Sequence, residues 1–279
     1  MRKCFECQRA VCYLLAAVLG STATARASLR RFRDELHGLV RGARHRPEFQ
    51  PLLQDVRQLA EQLAAEGRAA EGAGTWTPER LRDVLRRHLR GEKVIVVANR
   101  EPYIHERDPD GGVRVLHPAS GLVTALEPVM RACSGVWVAH GSGNADRESS
   151  DGNARVRVPP GEESYTVRRI WLTPEEERGY YYGFANEGLW PLCHIAHARP
   201  SFRREDFEHY KQVNRRFADA VCAESDGEDP IILVQDYHFA LAPRLIRERL
   251  PRATILTFWH VPWPNPERFG ICPFREELL

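Results

Sequence analysis

The sequence predicts an α/β protein built on a doubly wound parallel sheet, preceded by a helical N-terminal extension. Three observations lead there. Val94-Ile95-Val96-Val97-Ala98, Ile231-Ile232-Leu233-Val234-Gln235 and Thr254-Ile255-Leu256-Thr257-Phe258 are short runs rich in β-branched residues, as strands buried on both faces require. A helix-length segment from Pro243 to Leu250 separates the last two, which is the strand, helix, strand order of a parallel sheet. Two of the runs then stop at polar and aromatic residues, Asp236-Tyr237-His238 and His260-Val261-Pro262-Trp263-Pro264, where an open α/β sheet receives its ligands.

The composition is that of a globular protein. Of 279 residues 43% are hydrophobic and 28% charged, so a sizeable core can form. A net charge of +2 gives no argument for nucleic acid, and none is expected as a partner. The seven cysteines form no regular framework, and Cys133, Cys193, Cys222 and Cys272 sit in apolar segments, as reduced core thiols do. Cys4 and Cys7 have the spacing of half a zinc site, but no second pair completes it, so no metal is expected.

In chain order, residues 1–92 read as a helical extension. Arg2, Lys3 and Arg9 precede the apolar stretch from Val11 to Gly20, and small residues follow, the shape of a secretory signal. The stretch falls short of the ~20 residues a membrane span needs, so residues 1–25 are also read as a short membrane-associated start or a plain amphipathic helix. Leu52, Val56, Leu59 and Leu63 share one helix face. Thr77 is the expected N-cap of a second helix, with Pro78 first and Leu81, Val84, Leu85 and Leu89 as its apolar stripe.

From Lys93 the α/β pattern begins. The strand at Val94 ends on Asn99-Arg100, and a polar excursion through Asp108 to Gly112 leads to Ser120-Gly121-Leu122, a glycine at the mouth of a helix. Gly121 there lets backbone N–H groups approach a phosphate, though a glycine is equally common as plain turn geometry. Arg100 strengthens the phosphate reading, because a guanidinium binds phosphate in a fork. Gly135 to Ala139 reads as a further strand opening into His140, and the acidic segment from Asn144 to Asn153 as a surface loop. Tyr165 to Trp171 is a strand, and Thr173-Pro174-Glu175-Glu176 a helix start. The run Tyr180-Tyr181-Tyr182 cannot all face one interior, and aromatic faces with hydroxyl tips suit a sugar, or else a protein partner. Phe207, Tyr210, Val213, Phe217 and Val221 form the buried face of a long helix before the strand at Ile231.

These residues carry a resemblance. Asn99-Arg100, Gly121-Leu122-Val123, Tyr180-Tyr181 with Phe184 and Asn186, Leu189-Trp190-Pro191-Leu192, Val213-Asn214, Asp236-Tyr237-His238, and His260 with Pro262, Pro264 and Glu267 recur in that order. Over residues 93–279 the chain resembles the N-terminal half of the retaining trehalose-6-phosphate synthases, glycosyltransferase family 20. The resemblance implies the N-terminal Rossmann-like domain of a GT-B glycosyltransferase and glucosyl transfer from UDP-glucose to glucose 6-phosphate, giving trehalose 6-phosphate and UDP, without a metal or other cofactor. By position it makes Asp236 and His260 the catalytic pair, Arg100, Tyr181, Trp190 and His140 the acceptor and phosphate site, and Gly121 a donor contact.

His140 stands where the family usually has a second tryptophan, Tyr182 where asparagine is usual, and Gln235 where histidine is common. These departures leave open another acceptor, such as glycerol 3-phosphate. The sequence stops at Leu279 in what reads as mid-helix, so the second Rossmann domain lies outside it and little or no transferase activity is expected of this chain alone. A gene fragment, a homo-oligomer, pairing with a chain that carries the second domain, and a non-catalytic sugar-phosphate-binding or regulatory module are the readings that follow. The substrates are cytosolic, so a cytoplasmic protein is expected.

Overall fold

The computed structural model describes residues 77–89, 92–194, 198–226 and 229–279. The chain divides into two units, Met1–Asp83 and Val84–Leu279. Of the first, only residues 77–83 are described, so the Cys4 and Cys7 pair, the apolar stretch at Val11 and the Leu52 to Leu63 stripe lie outside the described residues. The helix Pro78–Leu89 begins as expected, with Arg80 N–H donating to Thr77 Oγ1 at 3.2 Å, and Leu85 and Leu89 are buried. No helix among the described residues is long and apolar enough to cross a membrane.

The second unit is organised by eight strands: β1 (Val94–Val97), β2 (Ile104–Arg107), β3 (Val113–Leu116), β4 (Val136–His140), β5 (Arg155–Val158), β6 (Tyr165–Ile170), β7 (Ile231–Gln235) and β8 (Thr254–Phe258). Six of them form one sheet in the order β5-β6-β4-β1-β7-β8, parallel except for the antiparallel edge strand β5. The chain steps outward from β1 through β4 to β6, then returns to the other side of β1 for β7 and β8. That reversal leaves a crevice between the carboxyl ends of β1 and β7, the topological switch point where such sheets bind ligands.

Register explains why both faces are covered. Ile95, Val136 and Ile232 align in one row and Val97, Val138 and Val234 in the next. Both rows belong to one apolar core with Tyr180, Phe184, Phe207, Tyr210 and Phe217 from the helical segments Arg178–Leu189 and Arg204–Glu224. Truncating a fully buried ring such as Phe217 to Ala costs about 3–5 kcal/mol. The alternate residues Val96, Trp137, Val167 and Arg169 are buried on the opposite face. There Tyr165 donates to Glu127 of the helix Gly121–Cys133 at 3.5 Å, so helices lie on both sides of the sheet.

The strands fall where the β-branched runs placed them, with departures elsewhere. The polar excursion after Arg100 is a separate hairpin, β2 with β3, whose tip is Asp108 to Gly112. The segment from Asn144 to Asn153 is a set of turns, as read, but Ala145 and Asp146 within it are fully buried. The tyrosine run lies in a π-helix, Arg178–Leu189, which buries Tyr180, half-buries Tyr181 and exposes Tyr182. Thr173 caps the short helix before it through a reciprocal bond pair with Glu176. The four described cysteines are free thiols, Cys193 and Cys272 buried and Cys133 and Cys222 half-buried.

Candidate functional site

At the β7 and β8 ends the chain turns abruptly. Asp236 has φ 73° and ψ 172°, a backbone conformation that costs of order 1 kcal/mol or more in a residue other than glycine. Its own bonds hold it there. The Asp236 N–H donates to the Phe258 carbonyl at 2.7 Å, while Oδ1 accepts from Tyr237 N–H at 2.9 Å and from His260 N–H at 3.1 Å. One carboxylate therefore joins the ends of two adjacent strands. Its other oxygen, Oδ2, has His238 Nδ1 3.9 Å away. Burial raises the Asp236 pKa, against the pull of the Tyr237 N–H bond and the His260 charge.

His260 turns Nε2 toward Gln235 Oε1 at 3.4 Å. His238 is buried and stacks on Tyr181, ring centres 5.2 Å apart and planes nearly parallel. Burial, followed by the charge of His260, pushes the His238 pKa down to about 3, so its imidazole is neutral at physiological pH. The turn after Asp236 is fastened from behind: Tyr237 donates to Asn186 Oδ1 at 2.8 Å, Tyr210 donates to the Tyr237 carbonyl at 2.6 Å, and Asn214 donates to the His238 carbonyl at 3.1 Å. The structure thus brings Asp236, His260 and Tyr181 into one constellation. Trp190 is exposed and pairs with His194, ring centres 4.4 Å apart.

The β1 and β4 ends form the other side. Arg100 is exposed, and its carbonyl accepts from Trp137 Nε1 at 3.2 Å. His140 N–H donates to the Asn99 carbonyl at 3.2 Å, and His140 Nδ1 lies 3.2 Å from the Ile170 carbonyl. A carbonyl oxygen only accepts, so the His140 Nδ1 that faces it is the donor. Gly121 opens its helix on the surface with ordinary backbone angles and clear space where a Cβ would stand. Neither strain nor crowding demands glycine there. No structural contact joins Gly121 or Trp190 to Asp236 or Arg100 among the described residues.

Sequence reasoning missed a buried ionic cluster under this second side. Arg169 on β6 donates from Nε to Glu101 at 2.8 Å, from Nη1 to the Asp146 carbonyl at 3.1 Å and Ser150 Oγ at 3.0 Å, and from Nη2 to the Tyr103 carbonyl at 3.0 Å. Nη2 also lies 2.8 Å from Asp146 Oδ1 and from His105 Nδ1. Burial, with Asp146 beside it, pushes Glu101 up to about 8. Burial also opposes ionisation of Asp146, but hydrogen bonds from His105 and Glu101 outweigh it and hold Asp146 down to about 2. The signal in the sequence was an arginine at an inward position of a strand, Tyr165 to Ile170, whose alternate residues are apolar. No group of three or more His, Cys, Asp or Glu side chains that could hold a metal occurs among the described residues.

The sheet order, the strand-end crevice and the polar groups on both of its sides define a Rossmann-type α/β domain with its ligand site at the switch point. The sequence profile of glycosyltransferase family 20 matches residues 92–279, and the chain belongs to that family of transferases. It is 38% identical over 189 residues to the trehalose-6-phosphate synthase of Mycolicibacterium vanbaalenii, a match over 68% of this chain and 38% of that protein. The chain accordingly spans well under half the length of the curated relatives it matches. Among solved structures it is similar to a UDP-forming alpha,alpha-trehalose-phosphate synthase from Burkholderia vietnamiensis, with a TM-score of 0.52 and 26% identity over 67% of this chain and 36% of that one. A Burkholderia xenovorans synthase in complex with glucose-6-phosphate has a TM-score of 0.51 and 26% identity, over 67% of this chain and 37% of that one. The E. coli structure bound with UDP-2-fluoro glucose has a TM-score of 0.52 and 27% identity, over 67% and 37%. The comparisons bear out the GT-B type of α/β fold.

Proposed function

We propose that this chain supplies the acceptor side of a retaining glucosyl transfer from UDP-glucose to glucose 6-phosphate, the step that gives trehalose 6-phosphate and UDP. The observation that carries the reading is the joint between Asp236 and His260. A half-buried carboxylate that uses Oδ1 to lock two strand ends keeps Oδ2 to accept from a sugar hydroxyl, beside an imidazole on the next strand. Arg100, across the switch point, is exposed and suits the acceptor phosphate, with Tyr181, Trp190 and His140 as further acceptor contacts and Gly121 presenting backbone to the donor diphosphate. No protein nucleophile is needed when the acceptor hydroxyl is held against the anomeric carbon on the face from which the diphosphate departs. What the residues contribute is orientation and charge stabilisation. The reading uses no metal or other cofactor.

The names of the relatives, and the glucose-6-phosphate and UDP-2-fluoro glucose in two of the similar structures, support the substrate pair. A different phosphorylated acceptor, such as glycerol 3-phosphate, is favoured by one observation. His140, with Nδ1 committed to the Ile170 carbonyl, offers a small polar imidazole instead of a flat indole face. Titration of the purified chain with glucose 6-phosphate and with glycerol 3-phosphate, followed by tryptophan fluorescence, separates the two. Saturable quenching by glucose 6-phosphate that is lost in Arg100→Ala is expected. Binding of neither compound would remove the acceptor reading, and stronger binding of glycerol 3-phosphate would reassign the acceptor.

A further inference from the structure

The Arg169 cluster is expensive for a structural device. Burying a guanidinium and two carboxyl groups gains little over apolar residues of the same size, so its retention calls for something that apolar packing does not provide. What it provides is visible in its partners. Apart from one another, its side chains bond mainly to backbone of two segments, the one leading from Arg100 into β2 at His105 and the turns from Ser142 to Asp146. Glu101 Oε1 accepts from Ser142 N–H at 2.8 Å and from Ser142 Oγ at 3.1 Å, and its Oε2 accepts from Arg169. Asp146 accepts from His105 N–H at 2.8 Å and Gly143 N–H at 2.6 Å. The fit leaves no slack, since a methyl group on Gly141 would collide with Trp171 and one on Gly143 with the His105 carbonyl.

The first segment starts at the proposed phosphate residue, Arg100, and the second begins two residues after His140, the last residue of β4. We infer that Glu101 is a positioning residue, which through Arg169 and Ser142 binds the Arg100 segment to the His140 segment and so sets where the Arg100 guanidinium meets a phosphate. The inference rests on the proposed reading of Arg100. The Arg100 side chain itself is exposed, so its aim depends on the backbone that carries it, and Glu101 is the next residue along that backbone.

The test is a double-mutant cycle on the full chain, read as affinity for glucose 6-phosphate and for glucose. Glu101→Ala is expected to weaken glucose 6-phosphate binding roughly 10-fold, the size of one charge-assisted hydrogen bond, and to leave glucose binding within about 2-fold. Glu101→Gln, which keeps an oxygen for Ser142 but not for Arg169, should fall between. On an Arg100→Ala background Glu101→Ala should cost nothing further. An equal loss on both backgrounds, or an equal loss for glucose, would show a general structural role and overturn the inference.

Amide exchange at His140, whose N–H bridges to the Asn99 carbonyl, gives a ligand-free readout. Faster exchange there in Glu101→Ala, with β1 and β7 amides still protected, supports the coupling of the two segments even where the wild-type chain binds no glucose 6-phosphate, an outcome that counts against the proposed function instead. Unchanged exchange overturns the inference. Should Glu101→Ala fail to fold, the same measurements on Glu101→Gln decide it.

Discussion

The two sides of the switch-point crevice present comparable polar groups and hold them by opposite means. The β7 and β8 side fixes Asp236 with bonds from neutral donors, the Tyr237 and His260 amides in front, and the turn behind it with Tyr210, Asn214 and Asn186, within an aromatic core. The β1 and β4 side ties together the segments that follow Arg100 and His140 with buried charge, Arg169 against Glu101 and Asp146. Neutral bonds tolerate the loss of one member, because the penalty is a single desolvated group. A buried ionic cluster does not, because removing the central cation leaves buried carboxyl groups without the donor that balances them in a poor dielectric. The crevice therefore has a forgiving side and a brittle one.

That contrast can be broken most directly at Arg169. Arg169→Met should cost about 3–5 kcal/mol, by removal of one partner from a buried ionic cluster. For a domain of this size that is a fall in Tm of roughly 10 °C, seen by calorimetry. A loss under about 1 kcal/mol would mean that both sides are equally forgiving.

On the forgiving side the largest effect should come from acid. His238 has its pKa depressed in the fold, from an ordinary value near 6.5 down to about 3, so its stabilising contribution is complete above pH 6.5 and is lost as pH falls toward 3. At about 1.4 kcal/mol per unit the loss is on the order of a few kcal/mol, and His238→Phe should flatten the acid limb of the urea midpoint against pH. An unchanged limb in that variant would place the acid sensitivity elsewhere.

Asp236→Asn sharpens the comparison at the site. The amide oxygen can still accept from Tyr237 and His260, so stability should move by no more than about 1 kcal/mol, while acceptor affinity falls roughly 10-fold. In the wild type, the raised Asp236 pKa means that affinity declines as pH drops, starting higher than an ordinary aspartate would allow. Binding that persists well below that range would exclude ionised Asp236 from acceptor recognition. The smallest effect belongs to Gly121. Gly121→Ala has room for its methyl group and should change stability by less than about 0.5 kcal/mol, so a measurable loss of UDP-glucose binding in that variant would isolate a donor role.

Much of the forgiving side was legible in the sequence. Continuous apolar runs give the strands, and Asp236 and His260 stand at their ends because a polar residue directly after such a run has few other uses. The brittle side was hidden. Glu101, Asp146 and Arg169 are more than 20 residues apart, and a charged residue in isolation reads as surface, so only their convergence in space reveals them. The β2 and β3 hairpin escaped for a related reason: Ile104-His105-Glu106-Arg107 and Val113-Arg114-Val115-Leu116 lack a continuous apolar run, because His105 alone of the eight is buried. The π-helix was unreadable because its width is a matter of backbone bonding, and residue types do not encode it.

That π-helix sets what kind of change the aromatic segment can survive. Residues Arg178–Leu189 wind more loosely than an α-helix, so the angular offset between Tyr181 and Trp190 depends on how many residues are wound between them. Substitutions leave that count alone. Deleting a single residue would let the segment tighten toward the ordinary helix and swing everything beyond it by about 100°. Over evolutionary time the segment can therefore vary its side chains far more freely than its length.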